Sequence, residues 1–252
     1  MKHVVAGRYD GAGARIVSII NAMRLANRAK CDFHFLWPSG TYFKKENISH
    51  IFSVLFIKKY YIDERYILDF WADCPRILKG VDGGRIFPDT DPEDRVLEIS
   101  PEAAFKYNTW LINNNYGFYC FPDESVSIVK KNLSKMFLEE SIFHKNIYNH
   151  LDLFFREISK DKELVGVHVR RGDIVNFEKD QWRIIDLTQY FEALKNISWD
   201  YIVLCTDSDD IIEEFNNKYG NLVLNDGLKQ EVRVMEVDAI TDILKLARCK
   251  NI

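Results

Sequence analysis

The chain has 252 residues, 47% of them hydrophobic, and 38 acidic against 34 basic side chains leave a net charge of −4. That length suits one large or two ordinary domains with a sizeable core, and the acidic balance argues against nucleic-acid binding, which calls for a basic face. Seventeen Phe, twelve Tyr and five Trp exclude a disordered chain.

Strand and helix patterns alternate from the start. HVVA (3–6) reads as a short strand, followed by a glycine-rich turn, GRYDGAGAR, and then by Ile16, Ile19, Ile20 and Met23 at helical spacing. FHFLW (33–37) is the next strand. Ile48, Ile51, Phe52 and Leu55 mark a helix. Short strands are expected at 66–70, 94–98 and 116–120, a loop at 81–92, and a capped helix start at Ser100-Pro101-Glu102. Two helices fill 123–157, one lined by Val126, Val129, Leu133 and Phe137, the other by Ile147, Leu151, Phe154 and Phe155. The polar run SKDKE (159–163) suggests a domain boundary near 158.

Beyond it the pattern repeats: strand 164–170, a helix with Leu187, Tyr190, Phe191 and Leu194, strand YIVLC (201–205), a helix from about 209, strand 222–224, and a helix with Ile240, Ile243, Leu244 and Ala247. Such alternation implies parallel sheets with crossover helices. The five cysteines, Cys31, Cys74, Cys120, Cys205 and Cys249, are odd in number and form no CxxC pair, so a reducing compartment is the simpler reading. Cys31 and His34 are read as packing residues at a strand start. The N-terminus carries no apolar signal core, and the apolar run IFSVLFI (51–57) is too short to span a bilayer. The expectation is a soluble, cytoplasmic protein.

Three turns carry candidate chemistry. VGVHVRRGDIVNFE (165–178) puts His168 and Arg170 on one face at the carboxyl end of a strand, where open α/β sheets bind ligands. A guanidinium fork suits phosphate oxygens; Gly172 allows close approach, and Asp173 can hold Arg171 or cap the turn. The plain alternative is an Arg–Asp pair at a strand–loop junction. In CTDSDDIIEEF, Asp207 or Ser208 would cap a helix whose N-terminus favours ligand oxygens; Asp207 and Asp209 also have the spacing of a DxD metal site. In GAGAR, Gly11 and Gly13 begin a GxGxxG pattern that Ile16 breaks, which speaks against a dinucleotide site. A turn approaching a phosphate or sugar, with Arg15 beside it, fits as well as a plain tight turn.

HVRRGD (168–173) resembles the HxRRxD motif of the GDP-fucose-dependent fucosyltransferase superfamily, which holds the α1,2-, α1,6-, nodulation-type and protein O-fucosyltransferases. YIVLCTDSDDIIEEFNNKYGN (201–221), AITDILKLARCKNI (239–252) and GAGARIVSIINAMRLA (11–26) are similar to family segments in the same order, about half the chain in all.

The resemblance implies a GT-B-like α/β fold: two Rossmann-like domains with parallel sheets facing across a cleft. Residues 1–158 would be the acceptor side and 159–252 the donor domain, apparently incomplete at Ile252, where the family continues. It implies inverting, metal-independent transfer of L-fucose from GDP-β-L-fucose to a glycan or lipid-linked glycan, with no cofactor and no transmembrane segment, and it allows peripheral membrane association. By position, Arg170 would hold the β-phosphate, His168 the guanosine, and Asp242 the guanine edge. Arg171, Asp173, Asp207, Ser208, Gly11, Gly13 and Arg15 would line the donor site, and Glu178 would be the acceptor base. Transfer from another nucleotide sugar, with a metal at Asp207 and Asp209, and a truncated, non-catalytic nucleotide-sugar-binding domain are the competing readings.

Overall fold

The computed structural model describes residues 3–7, 11–37, 47–63, 109–112, 123–138, 142–171, 184–226 and 235–250. The chain forms two compact units, Met1–Lys145 with Val234–Ile240, and Asn146–Arg233 with Thr241–Ile252. The helix that begins at Lys145 thus falls almost wholly in the second unit.

In the first unit, β1 (His3–Ala6), α1 (Ala12–Ala29) and β2 (Asp32–Phe35) make a β-α-β crossover. β1 pairs in parallel with β2 on one side and with β3 (Thr109–Ile112) on the other. Two short helices, α2 (Ile48–Ile51) and α3 (Val54–Tyr60), replace the single helix expected around Ile48–Leu55. The break has a local cause. Ser53 turns out of the helix and its Oγ accepts the Phe56 N–H at 3.2 Å, which starts a new helix. Phe52 is thereby freed to bridge Phe143, with Ser53 N–H donating to the Ile142 carbonyl and His144 N–H to that of Ile51. Phe52 is buried, whereas Leu55, expected on the same face, is exposed.

The core here is built from rings. Phe35 lies 5.0 Å from Phe52 and 5.3 Å from Phe56, and Phe143 stacks on Phe52 and Phe137. Phe137 comes from α4 (Val126–Leu138), which buries Val129 and Leu133 as its periodicity predicts. Just ahead of that helix, Glu124 receives Arg24 of α1 at 2.5 Å, and Asp123 pairs with Arg28.

The second unit holds α5 (Lys145–Phe154), β4 (Leu164–Val169), α6 (Leu187–Lys195), β5 (Tyr201–Thr206), α7 (Asp209–Tyr219), β6 (Val223–Leu224) and α8 (Met235–Ala247). α8 starts in the first unit and ends in this one. The sheet order is β4-β5-β6, all parallel. Alternation decides which face each strand residue serves. Val165, Val167, Val169, Ile202 and Leu204 pack against Phe191 and Leu194 of α6 and Ile211 and Phe215 of α7. Gly166 and Cys205 face the other way, toward the α8 end of the chain: a Cβ on Gly166 would meet Leu246 and Cys249, and Cys205 Sγ lies 3.9 Å from the Asp242 carbonyl. A glycine in a strand interior often marks such a close approach. α7 ends at Gly220, whose φ of +57° suits a residue without Cβ. Among the described residues no helix is long and apolar enough to cross a membrane. The strands expected at 66–70, 94–98 and 116–120, the loop 81–92 and the helix start at Ser100 lie outside the described residues.

Candidate functional site

The site of interest is the carboxyl edge of the second sheet. His168 is exposed while its strand neighbours Val167 and Val169 are buried, because alternation turns it to the face that Gly166 shares with the end of α8. Arg170, two residues on, is exposed just past the strand end. The register places His168 opposite Cys205 and Val169 opposite Thr206. The Cys205 thiol reaches across to the Asp242 carbonyl. Burial pushes its pKa far above the ordinary range, with the Asp242 charge adding to the effect, so it stays a protonated donor. His168, Arg170 and Asp242 are therefore gathered around one end of the sheet, within one unit.

The turn after β4 is held from below. Arg171 N–H donates to Asp207 Oδ1 at 2.7 Å, and Arg171 Nη2 donates to the Ile185 carbonyl at 2.9 Å. The two adjacent arginines are thus differentiated: Arg171 ties the loop to β5 and to the segment before α6, while Arg170 occupies the exposed position beside it. The expected helix cap works differently. Ser208 is the N-cap of α7, but its side chain makes no capping bond; its backbone N–H donates to Thr206 Oγ1 at 3.3 Å. Asp207 ties down the neighbouring strand instead, and Asp209 and Asp210 occupy the first helical turn, where acidic groups suit the helix dipole.

Asp242 belongs to a charge network that the sequence reading missed. Its Oδ1 accepts Lys245 Nζ at 3.1 Å. Lys245 Nζ also donates to Asp226 Oδ2 at 2.5 Å, and that oxygen is 2.9 Å from His150 Nε2. The Lys245 side chain is only 4% exposed, Asp226 13% and Asp242 34%. Burial pulls the lysine pKa down, but Asp242 and Asp226 more than offset it, and the net shift is upward. Burial likewise pushes the Asp226 carboxyl up, but Lys245 and then His150 outweigh it, and the net shift is downward. A signal was present: Lys245 interrupts the apolar stripe of α8 one turn after Asp242.

The glycine-rich segment of the first unit departs from expectation. Gly11 is the N-cap of α1, so Gly13 and Arg15 lie inside the helix rather than in a turn. Gly11 and Gly13 are exposed, while Arg15 is 1% exposed with its guanidinium 4.9 Å from the Trp37 ring centre. A cation over a buried indole face is a favourable packing arrangement. Asp173 and Glu178 lie outside the described residues.

No protein-family model matches the sequence, and a search of curated proteins finds no match. Solved structures do match. The fucosyltransferase NodZ from Bradyrhizobium aligns over 98% of this chain and 85% of its own, at 18% identity and a TM-score of 0.58. NodZ alpha-1,6-fucosyltransferase co-crystallized with GDP aligns over 98% and 86%, at 18% identity and 0.58. The form soaked with GDP-fucose aligns over 98% and 86%, at 18% identity and 0.57. The chain thus has the GT-B-like α/β fold with parallel sheets found in these enzymes.

Proposed function

We propose that this chain is a fucosyltransferase that moves L-fucose from GDP-β-L-fucose to a glycan hydroxyl, with inversion and without a metal ion. The observation that carries the reading is the grouping of His168, Arg170 and Asp242 at one carboxyl edge of the second sheet, in a fold shared with fucosyltransferases. Residues 159–252 would then be the donor domain and 1–158 the acceptor side. Arg170 holds the β-phosphate, His168 contacts the guanosine, and Asp242 accepts the guanine N1–H and N2–H, an edge that a carboxylate selects over adenine or uracil. Arg171, Asp207 and Ser208 shape the turn beneath the diphosphate, with Asp173 on the same loop. Arg15, 1% exposed over the Trp37 ring, packs the start of α1 and does not meet the donor, which leaves Gly11 and Gly13 as the exposed candidates of that segment.

In a single displacement at the anomeric carbon, the bond to the departing GDP oxygen breaks as the acceptor oxygen attacks from the opposite side. Negative charge grows on the β-phosphate in the transition state. A fixed guanidinium stabilises that growing charge, which is where a catalytic charge contributes most. Glu178 takes the acceptor proton. The acceptor is a surface polysaccharide or its lipid-linked precursor, met in the cytoplasm or at a membrane surface.

The test is calorimetric titration with GDP, GDP-fucose, UDP and ADP, with and without EDTA, on wild type and Arg170→Ala. Guanine ligands should bind selectively and independently of EDTA. The variant should bind them about 10- to 100-fold more weakly, the range for a lost charge-assisted hydrogen bond. Equal binding of all four nucleotides by the folded protein would refute the donor assignment, and EDTA sensitivity would favour a metal at Asp207 and Asp209.

A further inference from the structure

We propose that Lys245 is the positioning residue for base recognition: held by Asp226 and His150, it fixes the Asp242 carboxylate in its base-reading orientation without touching the nucleotide. The inference rests on the reading of Asp242 given above. Asp242 is tied at both ends. Its main-chain carbonyl lies against Cys205 of β5, and its Oδ1 accepts Lys245 Nζ at 3.1 Å. Lys245 sits one turn further along α8, the i, i+3 spacing that brings side chains together on one helix face.

An ordinary lysine would swing with its partner, since its stem is flexible and its head prefers water. This one cannot. Its ammonium is bonded at 2.5 Å to Asp226, lies 4.7 Å from the Phe154 ring centre, and is buried. Asp226 in turn is bonded to His150 of α5 at 2.9 Å. The anchoring groups come from α5, the segment after β6, and α8, so the ammonium is a fixed donor set into the unit. A carboxylate pinned by such a donor loses its rotational freedom before ligand arrives. It can then meet two base N–H groups without ordering itself first, the preorganisation that raises affinity and selectivity. A half-exposed aspartate without that donor would spread over its rotamers.

The test compares GDP with inosine 5′-diphosphate, which lacks the 2-amino group, by calorimetry on the full chain. Wild type should prefer GDP, and Asp242→Asn should remove the preference. Lys245→Met, which keeps the stem and loses the charge, should shrink the GDP-to-IDP ratio by about tenfold, the value of one charge-assisted bond, with IDP, which keeps the N1–H bond to Asp242, weakened less than GDP. Lys245→Arg should recover part of the ratio. A merely structural lysine would weaken both ligands alike. If wild type shows no GDP preference, the reading of Asp242 falls and this role with it. If Asp242→Asn loses the preference but Lys245→Met keeps it, the positioning role alone is overturned. Should Lys245→Met fail to fold, Asp226→Asn loosens the lysine from its other side, and the same two ratios decide.

Discussion

Asp226→Asn tests the energetics of the buried network independently of any ligand. The substitution preserves shape and removes one charge. In the native protein this carboxylate is 13% exposed and bonded to Lys245 at 2.5 Å and His150 at 2.9 Å. Removing one partner of a buried ion pair costs about 3–5 kcal/mol, because the other charge is stranded. Lys245 retains Asp242 at 3.1 Å, so the cost should fall just below that range, at about 2–3 kcal/mol. With a urea m-value of about 1–3 kcal/mol/M, the midpoint should fall by roughly 1 M. Fluorescence of Trp199, whose indole N–H donates to the Leu194 carbonyl, follows the second unit. The sign with pH follows from the shifts. The Asp226 pKa is depressed below its ordinary 3.8, so its contribution is complete above that value and is lost as pH falls through the folded value. The Lys245 pKa is raised above 10.5, so its contribution holds below that value and is lost as pH rises through the folded one. The stability gap between wild type and variant should therefore hold level from pH 8 to 10 and shrink as pH falls through the carboxylate range. Equal midpoints at pH 8, or a gap left undiminished once pH has fallen below the carboxylate range, would refute this account of the network.

Gly166→Val should destabilise the second unit by about 1–3 kcal/mol by overpacking, since even its Cβ would stand 2.8 Å from Leu246 Cδ2 and 3.3 Å from Cys249 Sγ. Adding Leu246→Ala should restore part of the loss in urea melts, and strictly additive effects would contradict the clash. In the first unit, Arg24→Met removes the guanidinium that Glu124 meets at 2.5 Å, the two side chains being 7% and 15% exposed. It should cost about 3 kcal/mol, whereas Arg24→Met with Glu124→Leu should return toward wild type; thermal melts in which the double variant is the worse of the two would refute this.

The repeating elements were legible because their signals are local. Leu187, Phe191 and Leu194, or the alternation through 164–169, need only neighbouring residues to be read. β3 was not, because TWLI (109–112) is too short to distinguish from any apolar run until it pairs with β1. The helix expected through Leu55 failed because the 3.6-residue period ran across Ser53, and only the long-range Phe52–Phe143 bridge makes the break intelligible. At the site, His168 and Arg170 could be placed on one face from strand geometry alone. The roles of Arg171 and Asp207 could not, since their bond joins residues 36 apart. The network behind Asp242 spans still more of the chain, from His150 to Lys245, and leaves only a lysine out of place on an apolar helix as its local trace.

The Cys205 sulfur has a practical consequence. It is 2% exposed, sits under Asp242, and is held as an unreactive thiol by its surroundings. Cys249, packed against Gly166 on the same face, is half-buried with its pKa pushed up by burial to about 12. A thiol reagent can reach Cys205 only when the end of α8 lifts from the sheet, so its modification rate is a clock for that local opening. Any ligand that binds only the closed form slows the clock in proportion to its occupancy. The protein thus carries, in one buried atom beside the site, a covalent record of how often that site comes apart.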